Sequence, residues 1–100
     1  MKSIIQDKKE CFICRVNYDV ETTTGLHEHH IFEGHGRRKQ SEKYGLKVYL
    51  CHRHHNSDTR FGVHFQKQRD LELKQLAQRK FEETHTREEW MLLMGKNYLD

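Results

Sequence analysis

Two stretches have the β-branched, aliphatic and aromatic content of short strands, LHEHHIF at 26–32 and LKVYLC at 46–51. Between them GHGRRKQSEKYG is bounded by glycines and basic, so the strands are expected to be joined by a long, basic connection. Upstream, CFICRVNYDVETTTG at 11–25 alternates only weakly and ends in polar residues, as a knuckle followed by a loop would. From about Val63 to Thr84 the period becomes helical, with Leu73, Leu76, Ala77, Lys80 and Phe81 recurring at spacings of three and four. Thr86 and Glu89 have the spacing of a capping box, and Gly95 suits a helix stop behind a face of Trp90, Leu93 and Met94. The pattern predicts two strands covered by a helical hairpin.

Composition limits what these elements can bury. With 100 residues, 34% hydrophobic and 33% charged, and a mean hydropathy of −1.05, the chain supplies one small domain with a thin core. Domains of this size often depend on a metal or disulfides as staples. There is no proline, repeat or linker-like tract to suggest a second domain. The opening MKSIIQDKKE turns charged after two isoleucines, which is not the apolar run of a signal peptide or membrane helix. With an odd number of cysteines, three, the expectation is a cytoplasmic, reducing setting and no membrane association. Cysteines there are more often metal ligands or catalytic groups than disulfides. A net charge of +3 is compatible with a polyanionic partner without requiring one.

Cys11 and Cys14 stand in a C-x-x-C pair, and Cys51 and His54 repeat that spacing. Two such pairs can point four ligands at one tetrahedral ion, closing a structural zinc site as Cys₃His with no open position for chemistry. His54 is chosen over His52 and His55 on spacing alone. The site uses every cysteine and supplies the missing staple.

The sequence still offers His27, His29, His30, His52, His55 and His64 within one small region. On a strand, adjacent side chains point to opposite faces, so His29 and His30 would do different work. Metal-assisted hydrolysis needs that division: an ion to stabilise developing charge and a neutral imidazole to take a proton from water.

The order C-x2-C, then HHI at a strand end, then LC-x2-H-H opening a helix resembles the HNH nucleases, whose ββα-metal hairpin carries one catalytic divalent ion. HHIFEG, RRKQSEKYGLKVYLC and GVHF resemble in particular small phage-encoded HNH proteins. The likeness implies an α+β fold with a zinc knuckle and ββα-metal core over about 11–65 and a helical extension over about 66–95. It implies His29 as first metal ligand, His30 as general base and His55 as the ligand on the helix, with His64 a further ligand. Nine residues of unbroken helix would put His64 roughly 13 Å from His55, so Gly62 must turn the chain. Asn56 is a second choice. The family's middle asparagine would fall near Leu46 or Lys47, and neither is asparagine.

Arg37, Arg38 and Lys39 fall between the strands, near where a scissile phosphate would lie, and guanidinium groups can clamp phosphate oxygens without reading bases. The sequence thus points to a metal-dependent DNA endonuclease with Mg²⁺, Mn²⁺, Ni²⁺ or Zn²⁺ at its catalytic site. RNA is left open as a substrate, and a homodimer or partner protein would supply any sequence preference. A phage-encoded chain would act in the host cytoplasm. The rival is a non-cutting, zinc-binding adaptor or inhibitor of phage origin that keeps the knuckle and can dispense with His30.

Overall fold

Leu26–His30 (β1) and Lys47–Cys51 (β2) pair antiparallel in the register Leu26↔Cys51, His27↔Leu50, Glu28↔Tyr49, His29↔Val48 and His30↔Lys47. The computed structural model describes residues 2–34, 36–57, 62 and 66–99, with the side chains of Asn56 and Ser57 outside that description. Among the described residues these two strands form the sheet, and the rest is helix and connecting chain: an α+β arrangement.

The first helix, Phe12–Tyr18 (α1), occupies a segment expected to be knuckle and loop. Its N-cap is Cys11, whose Sγ accepts the Cys14 N–H at 3.5 Å, and it stops at Asp19 in the left-handed conformation. Weak periodicity hid it because its burial is confined to Ile13 and Cys14.

The connection between the strands is helical as well. Arg37–Tyr44 (α2) runs from Gly36 to Gly45, both at positive φ. Only Ser41 of this helix is buried, so no apolar stripe announced it; tertiary contacts hold it instead. Ser41 Oγ donates to the Phe32 carbonyl at 2.9 Å and accepts the Phe32 N–H at 3.1 Å, fixing α2 to the exit of β1. Gly45 combines φ 70° with a backbone that the Lys2 carbonyl packs against, leaving no room for a Cβ.

After β2 the chain makes a π-helical turn at Arg53–Ser57. Lys67–Phe81 (α3) and Arg87–Met94 (α4) follow and form the expected hairpin. The capping box is present: Thr86 Oγ1 accepts the Glu89 N–H and the Glu89 carboxylate accepts the Thr86 N–H. Gly95 closes α4 in the left-handed conformation. Leu73, Ala77, Phe81, Trp90 and Met94 join Ile31, Phe32, Leu46, Val48 and Leu50 in one core. Phe32 and Trp90 meet edge to face at 5.4 Å. The buried Gln78 was not expected; its amide donates to Asn97 and accepts from the Tyr98 N–H, pinning the C-terminal segment. No described helix is long and apolar enough to cross a membrane.

Candidate metal centres and the histidine strand

The two knuckles converge. His54 Nδ1 lies 3.6, 3.4 and 3.3 Å from the Sγ atoms of Cys11, Cys14 and Cys51, and Cys14 Sγ lies 3.9 Å from Cys51 Sγ. A tetrahedral zinc with Zn–S about 2.3 Å and Zn–N about 2.0–2.1 Å has edges of roughly 3.6 Å between nitrogen and sulfur and roughly 3.8 Å between sulfurs. The donor set and its spacing therefore fit a structural metal such as zinc. All four residues are nearly closed off from solvent, so the shell leaves no position for a substrate. Burial pushes the Cys11 thiol up to about 12; a bound cation acts in the opposite sense and holds such thiols as thiolates. Glu10 and Arg15 brace the first knuckle through two parallel hydrogen bonds of 2.9 and 3.0 Å, and the Arg15 guanidinium keeps Glu10 below the usual carboxylate range.

The strand β1 separates its histidines as alternation requires. His29, 2% exposed, faces His55 of the π-helical turn, the rings 5.1 Å apart and nearly perpendicular. His27, on the same side, brings its Nδ1 to 2.8 Å from His55 Nδ1. His64 lies outside the described residues, as does the chain on either side of Gly62 that would turn it inward. The side chain of Asn56 is likewise outside them.

His30 points the other way. Its Nε2 lies 2.9 Å from Glu42 Oε2 and 3.7 Å from Glu28 Oε1. Lys47 Nζ bridges both carboxylates, at 2.9 Å from Glu28 and 2.8–3.0 Å from the two oxygens of Glu42. The hydrogen bond from Lys47, followed by that from His30, holds the Glu42 carboxyl down to about 2. Burial works to lower the Lys47 ammonium, but its bonds to Glu28 and Glu42 outweigh that and raise it. An ionised carboxylate only accepts hydrogen bonds. His30 Nε2 must therefore carry a proton, and in the neutral ring Nδ1 is the basic atom.

Glu28, His30 and Glu42 also stand close enough together to hold an ion. Lys47, 8% exposed, already supplies the positive charge between the two carboxylates, which argues against a cation there. Lys47 occupies one of the two positions where the resembling family would carry asparagine, and here it organises the surroundings of His30.

His30, Glu28 and Glu42 line an open cleft with Gly34, Gly36, Arg38 and Lys39. Of the three basic residues expected near a phosphate, Arg38 and Lys39 border this cleft. Arg37 turns instead toward α4, its guanidinium 3.8 Å from Met94 Sδ.

Glu28 and Glu42 were not singled out from the sequence, and Lys47 was noted only for not being asparagine. Glu28 was within reach of it, since it stands two positions from His30 on the same strand face. Glu42 was not, because its approach to His30 depends on α2. No protein-family model matches this chain, and no significant match was found among curated proteins or solved structures.

Proposed function

We propose that this protein is a metal-dependent endonuclease of the HNH type that hydrolyses phosphodiester bonds in DNA. One observation carries the reading: neighbouring histidines are divided, His29 turned toward His55 and His30 into a cleft bordered by Arg38 and Lys39. His29 and His55, with His64 if the chain beyond Gly62 turns back, would hold a divalent ion, and that ion would stabilise charge developing on the phosphate and leaving oxygen. His30 takes a proton from the attacking water at Nδ1. Glu42 stabilises the resulting imidazolium through Nε2, as a carboxylate does for a catalytic histidine elsewhere. Arg38 and Lys39 seat the backbone by charge, without reading sequence. The Cys₃His cluster binds zinc and serves only to hold the fold together.

A plasmid-nicking assay with Mn²⁺ or Mg²⁺ tests the proposal beside a His30→Ala variant of unchanged fold. Cleavage by the wild type that falls about 10²–10⁴-fold in the variant is expected for loss of a general base.

A second reading is a zinc-stapled binding protein that does not cut. It draws on the network around His30, whose ion pairs are complete with Glu42 and Lys47 and would equally serve as a polar clasp between β1, β2 and α2. Absence of nicking by wild type loaded with either ion would favour it.

A further inference from the structure

The cleft into which His30 opens does not end at Glu28. That residue also lines a second cleft, between the outer face of the sheet and the N-terminal segment, together with Lys2, Asp7, Lys9, Lys47 and Tyr49. The register explains why the two run together. Glu28 pairs with Tyr49 and His30 with Lys47, and directly opposed residues of an antiparallel pair share a face, so all four lie on one side of the ribbon. The N-terminal segment is fastened beside them: Ser3 Oγ donates to the Lys47 carbonyl and Gln6 Oε1 accepts the Tyr49 N–H at 2.8 Å, which fixes where Lys2 and Lys9 leave the chain. Lys9 Nζ lies over the Tyr49 ring, 5.4 Å from its centroid, and the ring holds the ammonium at the cleft by cation–π attraction.

Charge decides what such a surface takes. Lys47 engages Glu28 and Glu42 at 2.8–3.0 Å, so the carboxylates at the junction are already matched. Among the described residues no carboxylate pairs with Lys2, Lys9, Arg38 or Lys39. Asp7 opposes this in the second cleft, where two lysines outnumber it. Two unneutralised cations thus border each cleft, with His30 in the first. We propose that the two clefts form one track for a nucleic-acid strand, in which Lys2 and Lys9 hold a phosphate neighbouring the one that Arg38 and Lys39 seat beside His30. Glu28, where the clefts meet, is two residues from His30 along β1, roughly 7 Å, which suits neighbouring phosphates of one strand. Lysine is a flexible point charge that follows a backbone without reading bases, so the track accepts any sequence.

The track rests on the nuclease reading for its ligand, but it can be tested without cleavage. Binding of the zinc-loaded full chain to a fluorescent DNA duplex of arbitrary sequence is followed by anisotropy over a range of salt, with no Mg²⁺ or Mn²⁺ added. Lys2→Ala with Lys9→Ala should make the dependence of log affinity on log salt shallower by roughly 2, since each phosphate contact contributes about 0.9. Lys2→Arg with Lys9→Arg, which keeps the charge, should retain the wild-type slope. Lys67→Ala with Arg79→Ala removes as much charge from α3, outside both clefts, and should leave the slope nearly unchanged. A wild type that binds no duplex, an unchanged slope in the Lys2 and Lys9 alanine variant, or an equal loss in the α3 variant overturns the track. An unchanged slope in a variant that still nicks plasmid does so while leaving the nuclease reading intact. Binding that depends on Lys2 and Lys9 in a chain that cuts no DNA supports the track and refutes the nuclease reading alone.

Discussion

At the scale of single residues, the decisive pair is His30 and Glu42. Glutamine in place of Glu42 can accept or donate, so it no longer dictates which nitrogen of His30 keeps the proton. Glu42→Gln is expected to lower cleavage at least about tenfold, and ¹⁵N shifts of the His30 ring should move from a single Nε2–H tautomer toward a mixture. An unchanged tautomer would show that Glu42 does not set it. The same carboxylate gives the acid dependence a definite sign. Its folded pKa is depressed, from an ordinary 4.5 to about 2, so its stabilising effect is fully present above about pH 4.5 and is lost as pH falls toward 2.

Elements were legible where burial follows a period. The face of α3 carrying Leu73, Ala77 and Phe81, and the cap and stop of α4, could be read because apolar residues and capping side chains recur at helical spacing. The helices α1 and α2 could not, since one is a knuckle held by cysteines and the other buries a single residue, the polar Ser41. The place of His54 in the Cys₃His cluster was legible from spacing, whereas the approach of Glu42 to His30 was not, because it depends on where α2 sits. The cap offers a test at this level. Thr86→Ala removes the acceptor for the Glu89 N–H and should cost about 1 kcal/mol in denaturant unfolding, with metal content unchanged.

For the whole molecule, the thin core makes the Cys₃His cluster the expected determinant of folding. Metal-binding free energy in such sites is largely folding free energy. Protein purified without added metal should contain about one zinc per chain, and a strong chelator should abolish its cooperative thermal transition. A zinc-free chain that still melts cooperatively would remove the cluster from its structural role. Charge acts on the same scale. Arg38→Ala with Lys39→Ala should weaken binding to unrelated duplexes by similar factors and make the dependence of log affinity on log salt shallower, by up to roughly 2, because each phosphate contact releases about one counterion. Arg37→Ala, which removes a contact with Met94 rather than a group in the cleft, should leave that slope nearly unchanged.

The N-terminal segment bears on self-association. Leu46 turns its carbonyl toward β1, where it accepts the Ile31 N–H, so the backbone groups of its odd-numbered neighbours face outward. Three of those groups are covered: the Ile4 N–H meets the Gly45 carbonyl, Ser3 Oγ donates to the Lys47 carbonyl and Gln6 Oε1 accepts the Tyr49 N–H. Residues 3–6 thus act as a selvedge on the ribbon, blunting the side along which another strand could dock. Deleting them would leave KVYLC as a bare docking edge, and the shortened chain should form strand-paired assemblies or fibrils at concentrations where the intact chain forms none.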